Sequence, residues 1–341
     1  MSWSLAPVSA FPEFALRWEK LHLAARTPPM FSISFVGPLL DEFGGSGELL
    51  ACYTSGGQVS AMAVLTRGAR GAWSTFQPPQ APLGLWLQEA GADTARLLDA
   101  LFAVLPGFPL VLGLTQCDPL FAPRPPASSR QHSLDYIETA RITVAGSFDD
   151  FWNGRGKNLR SNLKKQRARL EKDGVALRLE TIRAPADVAA AIADYGRLEE
   201  GGWKAQDGTA IGADNAQGRF YRAMLTAFCR QGLGRIYRYR FGEQVVAMDL
   251  CIENDDCIVV LKTAYDESVP STFSPAFLMR EEICRQLFDE GRFARIEFYG
   301  KVMPWHLRWT DEVRTLYHLN RYRWAPIKAL HLRLQQRGKQ P

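Results

Sequence analysis

The sequence predicts two domains that each combine helices with a β-sheet, and the chain length, the order of elements and an internal repeat support this fold class. At 341 residues the chain exceeds one ordinary hydrophobic core and suits two. The heptapeptides GGQVSAM at 56–62 and GEQVVAM at 242–248 share five of seven residues, each as a turn followed by the start of a strand. Similar elements follow both copies, so we expect two related domains, 1–146 and 147–341.

The first half opens with a helix near 13–26, because Phe14, Trp18, Leu21 and Ala25 fall on one helical face. Alternating apolar residues and turn signals then predict the other elements. These are strands at 48–54, 58–66 and 71–76, a helix at 92–105, and strands at 109–115 and 133–144. The segment QPPQAPLG fits neither a central strand nor a helix interior, since proline lacks the backbone donor.

The sequence of the second half begins with a predicted basic helix over 151–173, which ends at an Asp-Gly pair. The predicted helices and strands after it follow an order similar to that of the first half. The same periodicity criteria give the elements that follow. These are a strand at 175–182, helices at 186–200 and 215–231, strands at 235–241, 244–253 and 256–265, a helix at 275–290, strands at 294–299 and 313–322, and a helix at 325–337.

The composition is that of a globular protein, with 46% apolar and 23% charged residues. No stretch of about 18 apolar residues predicts a transmembrane helix, and the N-terminal residues lack the pattern of a signal peptide. The six cysteines occur singly, without CxxC pairs or nearby histidines. We therefore expect reduced thiols, a cytoplasmic location and no metal site.

Positive charge is concentrated in two segments. Residues 151–174 hold eight Lys or Arg against two acids, and residues 313–341 hold seven against none. The net charge of the whole chain is only +5, so the remainder is acidic. Such a distribution indicates localised surfaces that attract anions rather than a general affinity for polyanions.

The first basic segment raises the possibility of nucleic-acid binding. Leu159, Leu163 and Leu170 recur on one side of its predicted helix, which is typical of a helix docked on a core with a basic outer face. No recognised DNA-binding motif accompanies it. The leucine spacing therefore favours a packed helix, and no specific nucleic-acid partner is expected.

Several segments of the second half resemble GNAT-superfamily acyltransferases. The basic helix, EEGGWK at 199–204, LKTAYDESVPSTFSPAFLM at 261–279 and IEFYGK at 296–301 are similar to segments of the FemAB-like and CelD/BioF2-like members. The resemblance implies two tandem GNAT-like domains, each a mostly antiparallel mixed sheet flanked by helices. It covers roughly 150–322.

The resemblance also implies a function. We expect an N- or O-acyltransferase that moves an acyl group from acyl-CoA, used as a co-substrate, to an amine or hydroxyl acceptor. A cell-envelope or exopolysaccharide precursor, carried on a sugar or a lipid, fits such relatives. Aminoacyl-tRNA is an alternative donor, and a non-catalytic protein that binds nucleic acid or another anion is a further alternative. The usual GNAT phosphate loop, (Q/R)xxGx(G/A), is absent, and Ala276 stands where relatives often have glycine.

For donor binding the resemblance points to the helix that begins at Ser274-Pro275. Serine caps helices well, and proline at the first helical position costs no hydrogen bond. The free amides and the positive dipole end suit the pyrophosphate of acyl-CoA. The expected donor-binding residues are Ser274, Pro275, Ala276 and Phe277.

Acyl transfer needs a base, a donor for the oxyanion and an acid for the leaving thiolate. On the strand that precedes the donor helix, Lys262 is the candidate donor to the oxyanion and Tyr265 is the candidate acid. Asp266, which follows them, is the candidate to orient the acceptor amine or to act as its base. Asp249, set among apolar residues, is a candidate base, with a salt bridge to a basic helix as the alternative. His306 is a further base candidate.

Acceptor binding is expected at aromatic and basic side chains. Packing and solvation are the alternative roles for each of them. The expected residues are Arg160, Lys164, Arg167, Trp203, Lys204, Lys301 and Trp305. The three cations of the basic helix would draw an anionic donor or acceptor toward the cleft between the domains. The QPPQAPLG loop would line the acceptor side.

Overall fold

The computed structural model describes residues 2–200, 211–212 and 214–337, with side chains to residue 334. The predicted residues Trp203 and Lys204 lie outside this range. The chain divides into two compact units. Unit 1 consists of the residues up to Glu138 together with those from Thr315 on, and unit 2 is Thr139–Arg314. Residues 315–337 thus belong with the first unit, although the sequence predicts them in the second domain.

Unit 1 contains a mixed sheet with the strand order β1-β2-β3-β4-β6-β13, and β5 pairs with β3. Only β4 and β6 run parallel among the pairs described in this unit. The strands are β1 Ser2–Pro7, β2 Leu49–Ser55, β3 Gln58–Arg67, β4 Ala72–Thr75, β5 Trp86–Gln88, β6 Val111–Cys117 and β13 Val313–Tyr322. The helices are α1 Phe11–Ala25, α2 Ile33–Phe43, α3 Thr94–Val104 and α9 Ala325–Arg337.

Unit 2 repeats this plan with the order β7-β12-β11-β10-β9-β8. Here β11 and β12 form the one parallel pair among those described. The strands are β7 Gln131–Thr143, β8 Leu177–Ile182, β9 Gly234–Phe241, β10 Gln244–Glu253, β11 Cys257–Tyr265 and β12 Arg295–Phe298. Residues 131–138 of β7 belong to unit 1. The helices are α4 Phe148–Asn153, α5 Lys157–Lys172, α6 Val188–Glu200, α7 Ala216–Arg230 and α8 Pro275–Glu290.

Each unit is a mostly antiparallel mixed sheet flanked by helices, which confirms the predicted fold class. Strand β13 and helix α8 have the predicted bounds. The sequence does not predict β1, α2 and β5, and the helix predicted over 151–173 is two helices, α4 and α5, which are separated at residues 154–156. Pro38 lies inside α2 and removes a helical hydrogen bond, yet Phe35, Val36 and Leu39 are buried there. Burial of that apolar face outweighs the local penalty.

The core of unit 2 shows how its helices divide between the two faces of the sheet. Leu159, Leu163 and Leu170 of α5 are buried with Leu278 of α8 and Phe148 of α4 in one cluster. This confirms the predicted docking side of the basic helix. Helices α6 and α7 also contact β9, β10 and β11, as α8 does, but none of their described residues belongs to this cluster. Successive side chains of β11 therefore face different layers, which determines which of them reach the candidate site.

Candidate functional site

Strands β11 and β12 pair over a short length and then separate. Their parallel pairing joins Cys257–Val260 to Arg295–Phe298, whereas β11 continues to Tyr265. The register of β11 against β10 also shifts, because Leu250 opposes Lys262 while Cys251 opposes Val260. This leaves one extra residue in β11, which is a β-bulge. The separation opens the sheet beside the start of α8.

A cavity of about 680 Å³ occupies this opening in unit 2. Strand β11 contributes Thr263 and Tyr265, and Asp266 follows them at the end of the strand. The N-terminus of α8 contributes four residues, which are the ones predicted to bind a donor. They are Ser274, Pro275, Ala276 and Phe277. Aromatic side chains form much of the remaining wall, so the cavity joins a helix N-terminus to an apolar surface.

The start of α8 is fixed by α5 rather than by a serine cap. The Ser274 hydroxyl makes no capping hydrogen bond, although Pro275 stands at the first helical position as expected. The Ser274 backbone N–H donates to Gln166 Oε1 of α5 at 2.8 Å. The Phe277 and Leu278 amides donate to the Ser274 carbonyl oxygen. Gln166 therefore positions the helix end that borders the cavity.

Behind the cavity lies a buried ion pair. Arg280 of α8 lines the cavity, and its Nη1 is 2.7 Å from Asp249 Oδ2 of β10. The Thr263 hydroxyl donates to Asp249 Oδ1 at 2.6 Å, and Arg280 Nη2 donates to Thr263 Oγ1 at 3.2 Å. Burial raises the pKa of Asp249, and the Arg280 charge and the Thr263 hydroxyl oppose that rise. This network fixes a guanidinium and a hydroxyl at the cavity wall.

The aromatic wall is formed by Trp305, Trp309 and Phe277. Trp305 stacks on His306 with 3.5 Å between ring centroids. Trp309 stacks on Trp152 and meets Phe277 edge to face. These contacts hold the rings in fixed orientations and form an apolar wall suited to a hydrophobic chain or a ring.

Comparisons with known proteins agree with this fold. Residues 157–307 match the sequence model of the acetyltransferase (GNAT) domain family. No curated protein sequence matches the chain. The FemX crystal structure is similar over 93% of this chain and 98% of its own, with a TM-score of 0.58 at 8% identity. The chain has a GNAT-superfamily fold.

Two further structures share this GNAT fold. One is the DUF2156 C-terminal domain of a protein described as a lysylphosphatidylglycerol synthetase from Agrobacterium fabrum. It aligns with 94% of this chain and 95% of its own at 12% identity, with a TM-score of 0.57. The other is the L-PGS from Bacillus licheniformis, with 87% and 94% coverage, 12% identity and a TM-score of 0.50. At such identities the likeness describes the fold.

Lys262 is not part of the cavity wall, in contrast to its predicted role at the oxyanion. Its ammonium pairs with Glu199 of α6 at 3.3 Å and lies over the Tyr221 ring of α7. Its neighbour Thr263 faces α8, because adjacent strand residues point to opposite faces. Lys262 therefore fixes α6 and α7 to the GNAT sheet.

The structure also argues against two of the predicted bases, Asp249 and His306. Asp249 is fully buried, and Arg280 and Thr263 occupy its two oxygens. His306 Nδ1 accepts from the Met303 amide at 3.0 Å, so its proton lies on Nε2. Burial, with the nearby Arg280 charge, lowers the pKa of His306 to about 4. His306 is a neutral hydrogen-bond donor near pH 7.

Tyr265 and Asp266 lie at the cavity as predicted. Tyr265 is 48% exposed. Burial acts to raise the pKa of Asp266, but hydrogen bonds from Ser268 and Gln244 outweigh it and lower that pKa. Asp266 is thus a carboxylate that can orient a cationic or amine group.

The three predicted cations of α5 have different surroundings. Arg167 pairs with Glu281 and Glu282 of α8, so its charge is neutralised within the protein. Arg160 donates to the Arg155 carbonyl oxygen, and Lys164 is exposed. Lys301, also predicted for the acceptor, is exposed beyond β12.

The residues that sequence reasoning missed include Gln166, Thr263, Arg280 and Trp309. A signal for Arg280 existed, since it lies on the buried side of α8 with Cys284 while an acid lies within an apolar strand. A buried charge needs a partner of opposite charge, so these two residues are expected to pair. The other three are ordinary polar or aromatic residues with no local signal.

The corresponding opening in unit 1 is filled by the protein itself. Strands β4 and β6 run parallel, as β11 and β12 do, and Gly84 lies between their ends. Its N–H donates to the Thr115 carbonyl oxygen at 3.1 Å. A Cβ there would come within 2.5 Å of that oxygen. The segment that the sequence suggested for the acceptor side instead closes this opening, and a cavity of only about 50 Å³ remains.

Proposed function

We propose that this protein transfers an acyl group from an acyl-CoA thioester to an amine or hydroxyl acceptor. The observation that carries the proposal is the cavity at the separation of β11 and β12, with the start of α8 at its edge. The start of this 16-residue helix presents the Ala276 amide and the positive end of the helix dipole, which suit a phosphate group of the donor. The Ser274, Phe277 and Leu278 amides are already bonded within the protein. The aromatic wall suits the apolar part of the donor.

In the proposed reaction, the acceptor nitrogen or oxygen attacks the thioester carbonyl carbon. A bond from that carbon to the acceptor forms, the carbon–sulfur bond breaks, and the acceptor's proton is lost to water. The Arg280 guanidinium supports the transient oxyanion, and Tyr265 donates a proton to the leaving thiolate. Asp266 orients the acceptor amine through its negative charge. Asp249 acts indirectly, because it holds Arg280 and Thr263 in place.

The acceptor side is proposed at Trp305 and Lys301. A flat indole beside a cation suits a sugar or a lipid-linked precursor that carries an acidic group. His306 contributes by stacking on Trp305 rather than by accepting a proton.

One observation favours aminoacyl-tRNA as a second candidate donor. The basic helix α5 borders the cavity, since Gln166 contacts Ser274 and the exposed Arg169 lies over the Phe273 ring. Phosphates of a nucleic acid would gain from the exposed lysines of this helix, Lys157, Lys164 and Lys165. The same cations would attract the phosphates of CoA, so the experiment must separate the two donors.

The test measures free-thiol release from acetyl-CoA and longer acyl-CoAs, and donor affinity by calorimetry. Ala276→Trp should fill the cavity and abolish donor binding. Its matched control, Ala189→Trp, changes an exposed alanine of α6 and should bind normally. Tyr265→Phe should lower kcat about 100-fold with little change in KM. Tyr136→Phe, at an exposed tyrosine of β7, is the control.

Several outcomes would contradict the proposal. If no acyl-CoA binds and no thiol is released, acyl-CoA is not the donor. If the wild type then turns over aminoacyl-tRNA and Ala276→Trp does not, the second candidate donor is favoured. Equal donor affinity in the two tryptophan variants would show that the donor lies elsewhere.

A further inference from the structure

The C-terminal helix of unit 1 and the residue before it expose large apolar side chains. Trp324 is 51% exposed, and Leu330 and Leu334 of α9 are 60% and 54% exposed. Phe108 is 59% exposed and lies against Trp324, with 5.6 Å between ring centroids. We call these four residues the α9 apolar surface. Scattered exposed leucines are ordinary, but Leu330 and Leu334 lie one helical turn apart on α9, and the Phe108–Trp324 ring pair lies just before the helix begins.

The other side of α9 is fastened to unit 1. Lys328 Nζ donates to the carbonyl oxygens of Ser128 and Gln131 at 2.6 and 2.9 Å. His331 Nδ1 lies 2.8 Å from the Tyr322 hydroxyl. These contacts fix the orientation of the helix, so the exposure of the α9 apolar surface follows from its packing.

The surroundings of this surface are positively charged. The sequence from Val313 to the end has seven basic residues and no acid. Two of the seven, Arg314 and Arg321, form ion pairs with Glu297 and Asp99, so their charges are neutralised within the protein. Arg323 donates to the Pro109 and Phe102 carbonyl oxygens, and Lys328 also donates to carbonyls, so these contacts leave both charges uncompensated. Arg333 is exposed on α9 between the two leucines.

The positive charge around the α9 apolar surface indicates what binds there. An apolar face bordered by cations matches the interface of a bilayer that contains anionic lipid, where apolar side chains enter the acyl boundary and cations meet the headgroups. A nucleic acid would neutralise the cations but leave the leucines exposed to water. No helix among the described residues is both long and apolar enough to cross a bilayer.

We propose that the α9 apolar surface docks this protein on the surface of an anionic phospholipid bilayer. The helix would lie in the interface with Trp324, Leu330 and Leu334 inserted and Arg333 at the headgroups. The proposal concerns unit 1 and does not depend on acyl transfer by unit 2.

The experiment is co-sedimentation of the full chain with vesicles of phosphatidylcholine alone or mixed with phosphatidylglycerol. We expect binding to the mixed vesicles that weakens as salt increases. The double variant Leu330→Ser/Leu334→Ser should lower the partition coefficient by ~tenfold or more, because two leucines no longer leave water. The control Leu16→Ser/Leu23→Ser changes two leucines of α1 that are 82% and 65% exposed, and should bind normally.

A second measurement locates the contact. Lipids with a nitroxide in the upper acyl chain should quench Trp324, seen as the difference in quenching between the wild type and Trp324→Phe. Arg333→Glu should weaken binding about fivefold or more, whereas Lys164→Glu on α5 should leave it unchanged.

Thermal unfolding of each variant checks that the fold is kept. The proposal is overturned if the wild type does not sediment with the mixed vesicles, or if it sediments equally with neutral ones. It is also overturned if the α1 and α9 leucine variants behave alike. It is overturned as well if RNA fully displaces the vesicles and the α9 leucine variant still binds RNA as the wild type does. The vesicles would then bind at the RNA-binding surface and not at the α9 apolar surface.

Discussion

Arg280 and Asp249 form an ion pair of 2.7 Å with both side chains removed from water. The pair joins α8 to β10 beneath the cavity, and Thr263 completes it. A charge in such surroundings is tolerated only with its partner, so each residue depends on the other. The same contact thus stabilises unit 2 and presents a guanidinium to the cavity.

This pairing predicts an unequal response to single and double substitution. Arg280→Met should lower the free energy of unfolding by about 3–5 kcal/mol, because Asp249 is left buried and uncompensated. The double variant Asp249→Leu/Arg280→Met should recover much of that loss. The control is Arg285→Met, which removes an exposed ion pair with Asp149 and should cost under about 1 kcal/mol. Urea unfolding measures all three, and equal costs for the two single variants would refute the expectation.

Acid stability should depend on two buried histidines. Burial lowers the pKa of His22 to about 4, and burial and the Arg280 charge lower that of His306 to about 4. The unfolded chain binds protons near 6.5, so it takes them up before the folded chain does. Stability present above pH 6.5 is therefore lost as the pH falls toward 4, by up to about 3 kcal/mol for each histidine.

Unfolding measured between pH 7 and pH 4 tests this loss for His306. The variant His306→Gln should show a flatter dependence over that interval than the wild type, whatever its absolute stability. An unchanged slope would mean that His306 is not the group that takes up the proton.

The basic helix should show two distinct effects of charge reversal. Lys164→Glu should raise KM for an acyl-CoA about fivefold at low ionic strength and little at high salt, because its charge is exposed. Arg167→Glu should instead destabilise the protein, since Arg167 pairs with Glu281 and Glu282. Steady-state kinetics at two salt concentrations, with thermal unfolding, separates them. If the KM of Lys164→Glu does not respond to salt, the exposed side of α5 is only solvated and does not attract the donor.

The closed opening of unit 1 predicts one donor site per chain. Calorimetry should give a stoichiometry of one acyl-CoA. Gly84→Ala should destabilise unit 1, because the new methyl group would meet Thr75 Oγ1 and the Thr115 carbonyl oxygen. Gly47→Ala is a suitable control, with no neighbour within 4 Å of its Cβ position. A stoichiometry of two would contradict this view of unit 1.

Much of the fold and part of the site are predictable from local sequence. The apolar periodicities place β13 and α8 at their observed bounds, and the leucine spacing of α5 gives its buried side. Ser274–Phe277 and Tyr265 are predicted and do line the cavity. Lys262 is not predictable in this way, because one step along a strand exchanges the two faces of the sheet and the β-bulge alters the register.

The sequence by itself determined the order of helices and strands, the location of positive charge and the segment that starts α8, because these follow from local periodicity and composition. Only the tertiary structure decided that Asp249 meets Arg280, that Gln166 holds Ser274, and that Gly84 closes the opening of unit 1. Those contacts join residues far apart in the chain. The physical reason is that a buried charge or a close backbone contact needs a particular partner, and only the packing of the whole fold brings that partner into contact.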